Sequence, residues 1–412
     1  MSDPISVAIV GAGIAGLAVA LGLRQRGINS RIYEVAPEVK ELGVGITVLP
    51  HAMRELTMLG LGPATAAAGV ENSASAFFNR FGQLIYKEPR GRDASYFYPE
   101  VGIHRGRLHA IMYEAALEQL GADAIVLNRR CVGLDQDPSG VTLHFEETTS
   151  GRPGEPARAH LVLACDGINS AVRRQLYPDE ELAFEGINTW RGVARSRPIL
   201  DGRTYIRIGS IRSAKIVIYP IRRADKSGLQ EINWTVEMPM AGGEKNDWNK
   251  PGKLEDFIGS FEDWHFDWID VPALLRASHV LLEYPMVDKA PIPRWTFGRV
   301  TFVGDAAHPM YQRGSNGAAQ ALIDARTIAN FLRDTKDPLE ALGKYESARR
   351  PATTRIVHTN RETPPDVINI KVEELTGDKP FDDLDRFISQ NELRALSDNY
   401  KEIAGFARDD LR

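Results

Sequence analysis

The chain opens on Ile5-Ser6-Val7-Ala8-Ile9-Val10, a short apolar, β-branched run that breaks at Gly11-Ala12-Gly13-Ile14-Ala15-Gly16. Good helix formers continue from Leu17 to Arg26 until Gly27 stops them, and Ser30-Arg31-Ile32-Tyr33-Glu34 reads as a second short strand. Two later apolar strands end in the same way. Leu161-Val162-Leu163-Ala164 runs into Cys165-Asp166-Gly167, with Ser170 and Arg173 following. Arg299-Val300-Thr301-Phe302-Val303 runs into Gly304-Asp305, then a glycine-rich turn at Gly314-Ser315-Asn316-Gly317 and a helix from about Ala318 to Leu332. Between them, Tyr205-Ile206-Arg207-Ile208, Ala214-Lys215-Ile216-Val217-Ile218-Tyr219 and Glu231-Ile232-Asn233-Trp234-Thr235-Val236 are rich in β-branched and aromatic residues, which predicts an inserted, mostly antiparallel sheet. Residues 242–247 form a polar loop and the tail after Asp382 reads as helical. The expected division is a discontinuous nucleotide-binding domain over 1–72, 97–180 and 290–350, a sheet domain over 73–96 and 181–289, and a C-terminal helical segment over 351–412.

The first glycine pattern has the strand–turn–helix–strand context that gives it meaning, and the fold class it predicts is α/β with a Rossmann-like domain. Gly11 permits the tight turn, Gly13 lets the backbone approach a pyrophosphate, and Gly16 lets the helix pack on the sheet, with Ala15 beside them. The helix N-terminus offers unpaired N–H groups to phosphate. Glu34, at the end of the second strand, can accept the ribose hydroxyls of an adenosine. An acid there disfavours a 2′-phosphate, but the motif alone leaves FAD and NAD both open.

Composition narrows the partners. The 412 residues are 43% hydrophobic and 25% charged, with a net charge of −5, which gives no electrostatic reason to expect nucleic acid or a membrane surface. Ile5 to Leu23 is apolar over nearly the length of a membrane span, but Met1-Ser2-Asp3-Pro4 lacks the basic flank of an export signal. The two cysteines, Cys131 and Cys165, fit neither a disulfide framework nor a metal-ligand spacing, so no metal is expected and the setting expected is cytoplasmic.

The three signatures together, GxGxxG, then Asp166-Gly167, then Gly304-Asp305, resemble those of flavoprotein monooxygenases of the para-hydroxybenzoate hydroxylase type, in the family's order. The resemblance implies FAD as cofactor and Asp305 on its ribityl hydroxyls. It implies Gly314, Asn316, Gly317 and Ala318 near the flavin N1/C2 carbonyl, Gly45 in a loop beside the ring, and Arg105 at the phosphate and ribityl region. Val132 joins these cofactor-contacting positions, and Asp166 takes a largely structural role. A helix N-terminus beside reduced flavin makes physical sense, because negative charge gathers there. Within the family the likeness is greatest to enzymes acting on phenazine-type N-heterocycles, through residues 314–321, Arg349-Arg350-Pro351 and Tyr400–Phe406. His51 departs from the pattern, since relatives carry Asn there.

The activity so implied uses NADH or NADPH as transient reductant and O2, with oxygen transferred from a flavin C4a-hydroperoxide to an aromatic or heteroaromatic small molecule. No second GxGxxG is present to give the nicotinamide a domain of its own. No motif identifies a catalytic residue. Tyr205, Tyr219, Trp234, Pro309 and Tyr311 are the substrate-site candidates, each weighed against a plain packing role; His308 reads as structural. Three rivals stand beside this reading. A halogenase would carry WxWxIP, whereas Trp264-His265-Phe266-Asp267-Trp268-Ile269-Asp270-Val271-Pro272 has those letters at the wrong spacing. A flavin oxidase or dehydrogenase, and a non-catalytic flavin-binding regulator, are compatible with the same cofactor site.

Overall fold

The structure, a computed structural model, describes residues 5–240 and 250–407; the polar loop at 242–247 lies outside the described residues. The apolar runs of the sequence become the centre of a six-stranded sheet, in the order Ile125–Val126, Ser30–Tyr33, Val7–Val10, Leu161–Ala164, Val300–Phe302, Thr296–Phe297. All neighbours are parallel except the last pair. Val7 to Val10 are buried throughout, as expected of a parallel strand covered on both faces. The segment with the length of a membrane span is therefore a strand, a turn and the helix Ile14–Arg24. Among the described residues no helix is long and apolar enough to cross a membrane. That first helix packs closely on the helix Gly317–Asp334, where a Cβ at Gly22 would sit 3.5 Å from Ala329 Cβ.

A second, seven-stranded sheet runs in the order Ser278–Asp288, Ala183–Ser196, Gln230–Pro239, Ala214–Arg222, Thr204–Ser210, Ala74–Phe78, Leu84–Pro89. It is antiparallel save for the pair Thr204–Ser210 and Ala74–Phe78. Side chains alternate across it. One face carries Trp190, Trp234, Ile206, Ile216 and Ile218, sealed by Phe257, Phe261 and Trp264 from the segment between the strands Gln230–Pro239 and Ser278–Asp288. The other carries Val193, Tyr205, Val217, Tyr219 and Ile221, against which Val44 of the nucleotide-binding part packs.

The helix Pro338–Glu362 continues through Pro351, so a division of the chain at 350 cuts a continuous helix. Two further helices, Val367–Thr376 and Gln390–Ile403, return the chain to the junction of the two sheets. The last begins with a capping box in which Ser389 and Glu392 satisfy each other's backbone N–H groups.

Candidate functional site

The first turn has three glycines with three different environments. Gly11 has φ +97°, and a Cβ there would lie 2.6 Å from Cys165 O; a Cβ on Gly16 would lie 1.9 Å from Gly11 O. A Cβ on Gly13 would meet nothing within 4 Å, so this residue fronts open space at a helix start that has no side-chain cap. Glu34 stands beside the turn, accepting from Ala12 N–H at 2.6 Å and Ala36 N–H at 2.8 Å. His109, not singled out in the sequence, donates from Nε2 to Ala12 O at 2.6 Å and so holds the next peptide of the turn.

Ala15 joins the first motif to the last, since a Cβ on Gly304 (φ +62°) would sit 2.9 Å from Ala15 Cβ. Next to Gly304, Asp305 is solvent-accessible, yet protein surrounds it closely enough for desolvation to raise its pKa. His308 and Arg105 act in the opposite direction. An accessible carboxylate in a desolvated setting marks the wall of an internal hollow. Arg105 is exposed and its charge reaches Asp305. Gly317 closes the group: a Cβ there would be 3.8 Å from Asp305 Oδ1. Val132 is 47% exposed on the strand Arg130–Asp137.

Asp166 has a different role. Its Oδ2 accepts from Ala171 N–H at 2.9 Å, capping the helix Ala171–Leu176, while Oδ1 has no partner. Arg173, fully buried in that helix, donates to Ala306 O at 2.8 Å and Ala307 O at 3.0 Å and so ties the second motif to the third. Beneath Gly304, Asp324 accepts from Gly304 N–H at 3.1 Å, His308 Nε2 at 2.6 Å and Arg349 Nε at 2.6 Å. Desolvation pushes the Asp324 carboxyl up, but the charges of His308 and Arg349 outweigh it and bring its pKa down to about 2. His308 thus belongs to a buried network under the turn.

The loop Gly314–Gly317 is held from three sides. Asn316, buried, pairs through Oδ1 with His51 Nε2 at 3.1 Å and donates through Nδ2 to Tyr400 Oη at 3.2 Å. Burial brings the His51 pKa down to about 3, so the imidazole is neutral and donates from Nε2, and this is what the departure at position 51 supplies. Tyr400 Oη passes its own hydrogen to Asn360 Oδ1 at 3.0 Å and lies so near Gly314 that no Cβ fits there. Ala318 lies in the first turn of the helix that follows. On the strand Gly45–Val48, Gly45 N–H donates to Asn233 Oδ1 at 2.6 Å, which joins the loop to the seven-stranded sheet.

Between the Gly314–Gly317 loop and the inner face of that sheet is a cleft that opens in part to solvent. Thr47, Gly314 and Ser315 line it from one side, Phe77, Tyr205 and Arg207 from the sheet, and Tyr400 and Lys401 from the C-terminal helix. Of the substrate-site candidates the cavity takes Tyr205. Tyr219 stacks on it at 5.1 Å from the adjacent strand, its hydroxyl pKa raised by burial. Pro309 is buried, and Tyr311 sits in a separate cluster with Ile187 and Met286, its pKa pushed up to about 12 chiefly by burial. Trp234 is on the opposite face, fully buried among Trp190, Phe257 and Ile218, and donates to Ser278 Oγ at 2.8 Å. Its expected place at the pocket is corrected by strand alternation: Asn233 and Thr235, not Trp234, have the inward parity. Arg207 and Tyr400 were not expected. A lone arginine on an otherwise apolar strand was the available signal for the first.

A parallel sheet with a dinucleotide turn and a covering sheet defines a dinucleotide-binding protein with a roofed cleft. Residues 4–234 match the family described as FAD binding domain, and the chain belongs to that family, among its aromatic-ring monooxygenases. It is 41% identical over 362 residues, 86% of this chain and 89% of the relative, to the Phenazine 1,6-dicarboxylic acid hydroxylase PhzS of Lysobacter antibioticus. It is 32% identical to the 3-amino-4-hydroxybenzoate 2-monooxygenase of Streptomyces cremeus, with 85% of each chain covered. The structure of Klebsiella pneumoniae HpxO complexed with FAD and uric acid shares the fold, with a TM-score of 0.76, 22% identity and coverage of 99% of this chain and 96% of that one. The protein is an FAD-dependent monooxygenase that uses NAD(P)H and O2 to hydroxylate aromatic small molecules.

Proposed function

We propose that the substrate is an N-heteroaromatic ring of phenazine type and that it is hydroxylated in the cavity between the Gly314–Gly317 loop and the seven-stranded sheet. The observation that carries this reading is that one cavity is lined at once by Gly314 and Ser315, by Thr47 and by Tyr205 of the sheet. The 41% identity to a relative named for phenazine 1,6-dicarboxylic acid supports the choice of ring. When bound, FAD supplies electron storage and oxygen activation.

The chain's own groups fit the cofactor part by part. The open space before Gly13 suits a pyrophosphate, where any side chain would intrude. Glu34 suits the adenosine ribose, Val132 the adenosine end, Arg105 a phosphate and Asp305 the ribityl hydroxyls. Gly45 and the loop from Gly314 to Ala318 let backbone approach a planar ring, and the helix start there favours negative charge on it. The Oδ1 of Asp166 is buried without a hydrogen-bond partner and can accept from a bound group. In this division the nucleotide-binding part is 1–72, 97–180 and 290–350, its last boundary falling inside the helix Pro338–Glu362, and the sheet of 73–96 and 181–289 roofs the substrate. Tyr205 and Phe77 give the ring apolar contact, and the Tyr219 hydroxyl stays protonated because burial disfavours its phenolate. The sheet and the C-terminal helix exclude water from the reacting atoms. The nicotinamide binds transiently, without a domain of its own. Buried thiols at Cys131 and Cys165, both raised in pKa by desolvation, suit a cytoplasmic setting.

Anaerobic mixing of the yellow protein with NADH or NADPH, with and without phenazine carboxylates, tests the reading. Bleaching of the flavin's visible band should be at least about 10-fold faster with the ring present, the gain expected when substrate positions a reactive complex. The absence of bleaching with either nicotinamide contradicts it.

A further inference from the structure

Asn316 stands at the N-cap position of the helix Gly317–Asp334, where an Asn side chain ordinarily turns back and accepts from the first-turn N–H groups. Here it makes no such bond. Its backbone has φ −92° and ψ −24° rather than the extended conformation of a capping residue. Ser315 before it has φ +55°, in the left-handed region that disfavours a side chain. A serine persists in that region only where its surroundings hold it.

The directions of the hydrogen bonds identify what holds it. Asn360 donates from Nδ2 to Tyr311 O at 3.4 Å, which turns its Oδ1 toward Tyr400. Tyr400 gives that oxygen its single hydrogen and is left to accept from Asn316 Nδ2. Asn316 Oδ1 then faces His51, whose Nε2–H donates to it at 3.1 Å, with a weaker contact from Gln320 Nε2 at 3.4 Å. The oxygen that would cap the helix is thus occupied, and the amide cannot reverse without breaking its contacts at both ends. The two holders are fixed in turn. His51 is fully buried and stacks on Phe406 at 5.1 Å, and Tyr400 packs against Gly314. The first-turn N–H groups, which have no partner within the helix, remain available beside the loop that lines the cleft.

We propose that His51 and Tyr400 are positioning residues that withhold the N-cap from the helix Gly317–Asp334, so that its first-turn N–H groups are kept for the negative charge of reduced flavin. This rests on the reading above that sets the loop from Gly314 to Ala318 against the flavin ring. Reduced flavin is then held more tightly than it would be over a capped helix, because a capping oxygen occupies a donor and opposes the charge. The C-terminal helix Gln390–Ile403, which carries Tyr400, becomes part of the flavin site through this contact.

The test is the two-electron midpoint potential of the FAD-loaded protein, measured by anaerobic dye titration with no aromatic substrate present. His51→Phe keeps a ring against Phe406 and removes the donor, so Asn316 is free to turn and cap. Reduced flavin should then lose about 10-fold in affinity relative to oxidised flavin, a fall of about 30 mV. In the Asn316→Ala background His51→Phe should lower the potential no further, because no side chain is left to cap. A merely loosened loop would instead give additive losses. His51→Gln, which keeps a donor, should stay near the unsubstituted value. Where His51→Phe fails to bind FAD, Tyr400→Phe, which frees the other end of the amide, takes its place in the same comparison. Ser315→Asp checks the placement of the ring, since a carboxylate beside it should lower the potential whatever Asn316 does. An unchanged potential in both Ser315→Asp and His51→Phe contradicts that placement, and the proposal with it. A fall in Ser315→Asp with none in His51→Phe, or a His51→Phe fall that persists in full with Asn316→Ala, overturns the proposal alone.

Discussion

Asp305→Ala should purify colourless or nearly so, with FAD affinity reduced by about 10²- to 10⁴-fold. The figure follows from losing one or two hydrogen bonds to a charged acceptor, each contributing about 1.5–3 kcal/mol. Asp305 suits this role because its carboxylate is accessible from the hollow yet desolvated, a position that raises its pKa and gains from hydroxyl donors. The fold should survive, since the substitution removes a charge that burial opposes. Far-ultraviolet circular dichroism should be unchanged while the visible band disappears. Asp305→Asn should keep an intermediate amount of flavin. Full FAD occupancy in Asp305→Ala means that the ribityl contact lies elsewhere.

Asp324→Ala should be the most destabilising substitution in the same region, by about 3–5 kcal/mol, because it leaves the Arg349 guanidinium buried without its partner. That is a large share of the about 5–15 kcal/mol by which a domain is stable. The carboxylate holds Gly304 N–H, His308 and Arg349 together, so its loss should also loosen the turn that presents Asp305. The pH dependence has a definite sign. With its folded pKa lowered from 3.8 to about 2, Asp324 contributes stability that is fully present above about pH 4 and is lost as pH falls toward 2. Urea midpoints measured between pH 7 and 3 should therefore fall less steeply for Asp324→Ala than for the unsubstituted chain. A midpoint unchanged at pH 7 would show that the network is not holding the turn.

The three nucleotide-binding signatures are legible in the sequence because each is local: a fully buried apolar strand, a glycine at positive φ, and a helix start within a few residues. Gly11, Gly16 and Gly304 lack side chains because a backbone or side-chain atom occupies the space. The connections among the signatures are not local. Arg173 reaches Ala306, Asp324 reaches Arg349, and Tyr400 reaches Asn316 across 84 residues. No periodicity reports such contacts.

The inserted sheet shows a different limit. Its strands are recognisable from β-branched and aromatic residues, but large apolar side chains occur on both parities, so an aromatic residue alone does not say which parity faces the cavity. Trp234 and Tyr219, aromatic residues in adjacent strands, stand on opposite faces. Lys215 and Glu237, which share the inner parity, pair with each other across adjacent strands, a contact that appears only once the sheet is assembled.

The most direct test of the account is the origin of the oxygen in the product. The FAD-loaded protein turning over a phenazine carboxylate with its preferred nicotinamide under ¹⁸O2 should yield a ring hydroxyl carrying one ¹⁸O per oxygen inserted, read by mass spectrometry. A hydroxylated product whose oxygen comes from water, or ¹⁸O recovered only as hydrogen peroxide with the ring unchanged, contradicts it.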